Sequence, residues 1–276
     1  MPRICCIGGA SVDEKFHLDL AAIAATSNPA HRISGFGGVA RNVAENLARL
    51  GAGAALISAV GHDRDGDALL ASLHAAGVDT QGVARSVERP TGTYVAIIDP
   101  AGDLTIGVSD LAAVEALSPD DIGRAWPLVA AADFVFADCN LNGLTLERLI
   151  AHCAGAGLRL ALDAVSVAKS ARLPRDLRTV ELLFANADEA PSCIERGARA
   201  VVVTDGPRPI LIHRNETAEA IPVRPVPAVD VTGAGDALIA AALLRLCAGD
   251  DLAAAVRCGA ESAAKTVRSK ATVVGQ

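Results

Sequence analysis

The segment DVTGAGDALIAAAL, residues 230–243, decides how the chain reads. A turn of small residues opens directly into an apolar helix. Gly233 and Gly235 let a charged group approach the backbone. The N–H groups of a first helical turn lack intrahelical acceptors, and the helix dipole favours an anion there. Asp236 falls in that first turn. It reads either as a negative charge stabilising a helix start or as a general base beside a bound phosphate. No Lys-Ser or Lys-Thr pair follows the glycines, so this is not a Walker-type phosphate loop.

A second glycine turn lies upstream in GGVARNVAENLARLG, residues 37–51. It too opens a helix. Asn42 lies one turn in, where its amide can face the same pocket as Asp236. The plainer reading is an amphipathic helix preceded by a turn.

Around these turns, short apolar runs alternate with longer helical stretches. Strands are expected at 3–8, 54–60, 134–137, 158–162, 182–185 and 200–203, each apolar enough to be buried on both faces. Helices are expected at 39–50, 66–76, 119–131, 144–154, 234–247 and 252–267. The alternation predicts an α/β fold with a doubly wound, mostly parallel sheet flanked by helices. Two regions break it, 13–36 and 91–110. The second, TYVAIIDPAGDLTIGVS at 93–109, reads as a hairpin turning at Asp99-Pro100-Ala101-Gly102. Together they are expected to form a small β-sheet lid on a single domain spanning 1–276.

Composition narrows the function. The 276 residues include one Trp, one Tyr and five Phe, too few stacking platforms for a reader of single-stranded nucleic acid. A net charge of −7 with no basic run disfavours nucleic-acid polymers and anionic membranes. The apolar runs fall short of a membrane span, and the first residues are strand-like rather than leader-like. The seven cysteines show no metal spacing and read as reduced thiols in a cytoplasmic protein.

Taken together, the two glycine segments resemble the two signature motifs of the ribokinase-like (PfkB) family of carbohydrate and nucleoside kinases. Other elements resemble the family in the same order. Gly8-Gly9-Ala10-Ser11-Val12-Asp13 is similar to its first strand with a sugar-contacting Asp. Asn186-Ala187-Asp188-Glu189 is similar to its NxxE element, and Val203-Thr204-Asp205-Gly206 to its nucleotide-contacting turn. The resemblance implies an ATP-dependent kinase acting on a small-molecule hydroxyl. It implies that Asp236 is the base and that the amides of Gly233, Ala234 and Gly235 form the anion hole. Asp13, Gly37, Gly38 and Asn42 would bind substrate. Asn186, Thr204, Gly206 and Lys169 would lie along the nucleotide. Glu189 would act on Mg²⁺ through water, and Asp230 would lie near a monovalent cation such as K⁺. The exposed edge of the lid favours pairing into a homodimer.

Local features resemble the pseudouridine-kinase branch of that family: Ser27-Asn28-Pro29-Ala30, the full GGVARNVAENLARLG, Thr91-Gly92-Thr93-Tyr94, Ser109-Asp110, and Asp163-Ala164-Val165-Ser166-Val167-Ala168-Lys169. Asp230 and Ala30 depart from it, standing where that branch often has Asn and Gly, and Asp205 is an atypical charge beside a polyphosphate. Thr93, Ser109 and Asp110 are the candidates for reading the base. Asp110 would accept from N1–H of pseudouridine, or else cap the segment after the hairpin. Lys169 reads equally as a solvated charge. Other sugar or purine-nucleoside kinases, and a catalytically silent sensor, remain as alternatives. A nicotinamide dehydrogenase would want GxGxxG after the first strand, which is absent.

Overall fold

A computed structural model describes residues 1–224, 226 and 231–268. A nine-stranded sheet forms its centre. Its strands are β1 (Arg3–Ile7), β4 (Gly53–Gly61), β5 (Asp79–Ser86), β8 (Phe134–Asp138), β9 (Leu160–Asp163), β10 (Leu182–Asn186), β11 (Val201–Thr204), β12 (Ile210–Arg214) and β13 (Thr217–Ile221). The order is β13-β12-β11-β10-β9-β8-β1-β4-β5, antiparallel only where β12 and β13 join. Chain progress reverses between β1 and β8. Such a switch point leaves a crevice at the carboxyl ends of the strands.

Alternation along each strand sends side chains to two cores. On β1, Ile4 and Cys6 join one cluster, with α1 (Val39–Arg49), α2 (Arg64–Ala75), α9 (Ala234–Cys247) and α10 (Leu252–Thr266). Cys5 and Ile7 join the other, with α3 (Ala112–Glu115), α4 (Pro119–Arg124), α5 (Trp126–Ala130), α6 (Gly143–Gly155) and α8 (Ala190–Ile194). The seven cysteines are all free, and five of them are buried, as small hydrophobes. Among the described residues, no helix is long and apolar enough to cross a membrane.

The expected elements are present with shifts of a residue or two at most ends, but three strands had been missed and one helix is divided. β5, DTQGVARS, is a polar edge strand with an internal glycine. β12 and β13 form a hairpin at the opposite edge, with Asn215 left-handed (φ 52) in its turn, and their mixed polarity hides them. The expected helix 119–131 is two short ones meeting at Ala125, because Pro127 cannot donate to the turn before it.

Four strands form a second sheet in the order β3-β2-β6-β7: β2 (Ser11–Leu18), β3 (Ala30–Gly37), β6 (Gly92–Ile98) and β7 (Leu104–Asp110). β2 alternates buried and half-buried residues from Ser11 to Phe16, so one face of β2 is covered. Ile106 and Val108 on β7 are exposed.

Gly38 is the N-cap of α1, at φ 93, where a side chain strains the backbone. A Cβ there would also collide with the Gly9 carbonyl. Gly38→Ala is therefore expected to cost about 2–4 kcal/mol, the sum of left-handed strain and a backbone clash. Urea unfolding of the variant measures it, and a loss below about 0.5 kcal/mol would mean that the turn relaxes freely.

Candidate active site

The carboxyl ends of β1, β8, β9 and β10 carry the crevice's polar groups. Asp138, at the end of β8, is fully buried. Its carboxylate accepts from Gly9 N (2.9 Å), Ala40 N (2.8 Å) and Asn140 N (2.9 Å). Burial pushes its carboxyl up, and these amides pull it back down. Asp163 ends β9 and accepts from Val165 N at 2.8 Å. Val165 is left-handed (φ 65), a strained conformation for a β-branched residue. Burial first, then the carboxylates of Asp236, Glu189 and Asp138, raise the Asp163 carboxyl well above its ordinary range.

Asp236 stands in the first turn of α9, after Gly233, which caps the helix at φ 77. Its Oδ2 accepts from Asn42 Nδ2 at 2.7 Å, so the two glycine segments meet. Burial, with smaller contributions from Asp138 and Asp13, pushes the half-buried Asp236 carboxyl up to about 7, against the Asn42 hydrogen bond and Arg41. A carboxyl that titrates near neutrality suits proton exchange with a hydroxyl.

The second sheet brings Asp13 beside it. Asp13 is buried and accepts from Ser11 Oγ at 2.8 Å. Burial raises its carboxyl, opposed by that bond, Lys15 and Arg41. Gly37 allows the approach, since a Cβ there would collide with the Asp13 carboxylate. Lys15, two residues along on the same face, is also buried and donates to Thr232 Oγ1 at 2.7 Å. It ties the second sheet to the turn that opens α9.

Register sorts the remaining candidates on this sheet. Asp13, Gly35, Tyr94 and Ser109 are paired across the strands and share one face. Val12, Phe36, Thr93 and Asp110 share the other. Ser109 thus lies on the Asp13 side, and open space lies where Gly35 would carry a side chain. Thr93 and Asp110 are not brought together with Asp13. Asp110 Oδ1 instead accepts from Ala112 N at 3.1 Å, capping the turn into α3. A period of two makes that side choice depend on a single residue of register, which sequence does not supply.

Beyond Asp236, a cavity of about 440 Å³ is lined by Thr204, Gly206, Arg224, Ala234, Gly235 and Ala263, with apolar neighbours. It reaches the start of α9 but not Asp13. The Ala234 amide is donated to the Val231 carbonyl at 3.3 Å. Asn186 and Glu189 are joined: Asn186 N and Nδ2 donate to the buried Glu189 carboxylate at 2.9 and 2.7 Å. Burial raises that carboxyl. Lys169 Nζ donates to Asn140 Oδ1 at 2.6 Å, so it is drawn inward rather than solvated, and burial lowers its affinity for a proton. Asp230, the expected cation ligand, lies outside the described residues.

Sequence reasoning missed Asp138 and Lys15, and quoted Asp163 only within a segment, without a role. The two aspartates had a signal, since each is an acid at the end of an apolar strand. Lys15 had none, as it sits among alternating polar residues.

Asp236, its carboxyl raised to about 7 by burial, thus stands between a polar pocket and a mostly apolar cavity beside a helix start. The pfkB family carbohydrate kinase model matches residues 1–275, and the chain belongs to that family. Its members are kinases that use ATP. The chain is 26% identical to the pseudouridine kinase of Escherichia coli K12 over 257 residues, covering 86% of this chain and 81% of that one. It is 28% identical to the guanosine-inosine kinase of Exiguobacterium acetylicum over 256 residues, 84% of each. A carbohydrate kinase from Agrobacterium tumefaciens superposes with a TM-score of 0.84 at 29% identity, over 99% of this chain and 93% of that one.

Asp236 binds a proton more tightly in the folded chain than the ordinary 3.8 of an aspartate. Its protonation therefore favours the folded state at low pH, and that contribution fades as pH rises through about 7. Asp236→Asn, neutral throughout, escapes the loss. Urea unfolding should find its stability relative to wild type rising between about pH 4 and about pH 7 and level from there to about pH 8.5, with the two closest below about pH 3.8. A difference independent of pH would show an Asp236 of ordinary acidity.

Proposed function

We propose that the chain transfers the γ-phosphoryl group of ATP to the 5′-hydroxyl of pseudouridine. The observation that carries the kinase reading is the position of Asp236. It lies within a hydrogen bond of Asn42, between the Asp13 face of the second sheet and the cavity at the start of α9. The ribose would sit under the second sheet, acting as a lid, with Asp13 and Asn42 on its hydroxyls. As O5′ attacks the γ-phosphorus, its proton passes to Asp236 and the bond to the β-phosphate oxygen breaks, releasing ADP. The helix-start amides of Gly233 and Gly235 would receive the transferred group's negative charge, the Ala234 amide being taken by the Val231 carbonyl. Thr204 and Gly206 would lie along the nucleotide.

Among the described residues, no group of three or more His, Cys, Asp or Glu side chains could hold a metal by itself. Both Glu189 oxygens already accept from Asn186. This donor set fits Mg²⁺ delivered with the nucleotide and reached through its own waters. When bound, the ion would neutralise phosphate charge.

Pseudouridine is favoured by the E. coli relative and by the polar groups on the Asp13 face. Its N1–H, absent from uridine, needs an acceptor, and Ser109 offers one beside Tyr94. A purine nucleoside is the second reading, favoured by the Exiguobacterium relative and by the room over Gly35.

ADP release across a panel of nucleosides and sugars with ATP and Mg²⁺ tests the assignment. Pseudouridine should be preferred, and Asp236→Asn should lower kcat by roughly 10²–10⁴ with little change in KM. Activity within a few-fold of wild type would reduce Asp236 to a helix-start residue, and a purine preference would replace the acceptor. Ser109→Ala should narrow the ratio of kcat/KM for pseudouridine over uridine, because a lost acceptor costs roughly 1–3 kcal/mol. Asp110→Ala should leave that ratio intact. The opposite pattern would place Asp110 at the base.

A further inference from the structure

Arg41, one residue before Asn42, is buried with only 2% of its surface exposed, an unusual position for a guanidinium. It forms an ion pair with Glu45, itself wholly buried, which also accepts from Arg49 Nε at 2.9 Å. Arg41 Nη1 donates to Asn42 Oδ1 at 2.9 Å and to the Phe36 carbonyl at 3.3 Å, and its guanidinium lies 5.7 Å from the centre of the Phe36 ring. Among the described residues, its Nε has no hydrogen-bond partner.

A guanidinium carries donors and no acceptor. The Asn42 amide can therefore meet Arg41 only through its oxygen. With Oδ1 held there, Nδ2 must point the other way, which is where it meets Asp236 at 2.7 Å. A donor facing Asp236 favours the charged carboxylate, and a cation behind the amide polarises it and strengthens that donor. The opposite amide orientation would set Oδ1 against the carboxylate and favour a proton between them.

The electrostatics around Asp236 make this orientation matter. Facing it are Asp13 of β2, Asp138 of β8 and Asp163 of β9, all carboxylates. Arg41 of α1 is the cation that acts on it, and Lys15 of β2 lies at the neighbouring Thr232. Burial and three acids all oppose a charged Asp236.

We propose that Arg41 is a positioning residue for proton transfer: from its buried pair with Glu45 it fixes the Asn42 amide with Nδ2 toward Asp236, keeping that base able to accept a proton at neutral pH. Its catalytic meaning rests on the kinase reading above. The effect on Asp236 does not, and can be measured separately.

Arg41→Met alone would leave the buried Glu45 carboxylate with Arg41's charge removed from beside it, so the informative variant is Arg41→Met with Glu45→Gln, a neutral pair of similar volume that keeps an acceptor for Arg49. Carbon-13 NMR titration of the Asp236 carboxyl, assigned through its loss in Asp236→Asn, should show the midpoint rising by about one pH unit in the double variant, a tenfold gain in proton affinity. Asn42→Ala should raise it as well. Adding the Arg41 and Glu45 changes to Asn42→Ala should move it further by less than about a third of that, because the action runs through the amide. With the acceptor identified by the panel, the acid limb of kcat/KM should move by the same amount, with wild type and double variant converging at about pH 9. Arg41→Lys, which keeps the charge without the fork, should lie between them. A midpoint that stays put in the folded double variant, or an equal further rise in the Asn42→Ala background, overturns the proposal. A shifted midpoint in a protein that phosphorylates nothing would uphold the effect on Asp236 and overturn the kinase reading instead.

Discussion

The buried Asp138 carboxylate is the contact from which the crevice is built. It ends β8, and through backbone amides it holds the turn after β1 at Gly9, the start of α1 at Ala40 and its own following turn at Asn140. A charge in a fully covered site is costly unless its oxygens are satisfied, and here three segments distant in sequence satisfy them together. A Cβ at Gly8 would collide with that carboxylate, so the chain beside it is confined to glycine. Because Ala40 is clamped, α1 begins at a fixed point, and Asn42 arrives one turn later at a fixed height. The reach from Asn42 to Asp236 follows from that clamp rather than from either glycine motif alone.

The site that results is crowded with acid. Asp13, Asp138, Asp163 and Glu189 surround or approach Asp236, and burial pushes the carboxyl of each upward. Such a cluster is poorly suited to stability by itself, since every member would gain by taking a proton. It suits a polyphosphate substrate that brings its own cations, and a reaction in which a carboxylate must take up one proton. The cationic side chains are placed behind or beside the acids: Arg41 beneath Asn42, Lys15 at Thr232, Lys169 at Asn140. They hold the neutral groups that frame the pocket.

Much of this was legible in the sequence, for identifiable reasons. Glycine turns opening apolar helices are local features, and α9 runs over the very residues expected. The apolar strands announced a parallel sheet because they are buried on both faces. What could not be read depends on long-range register or on edges. β5 and β13 are the two edge strands of the large sheet, and β12 is the next one in from β13, where the apolar run is broken. Thr93 and Ser109 stand on opposite faces of the second sheet although both belong to the same expected hairpin. Arg41 carries no signal of its own in the sequence, and only the packing of α1 reveals that it is buried.

The second sheet contributes more than a cover. Asp13 and Lys15 are two residues apart on β2, so the alternation of the strand points both inward. Asp13 accepts from Ser11, and Lys15 donates to Thr232, next to Gly233 at the mouth of α9. A single short strand therefore connects the acceptor end of the crevice to the turn that would receive the phosphoryl group. Movement of β2 by a fraction of a hydrogen-bond length would disturb both ends at once. Phosphoryl transfer depends on the alignment of nucleophile, phosphorus and leaving oxygen more than on any covalent help from the protein. Setting the two ends of that line from one strand is a direct way for a fold of this size to impose it.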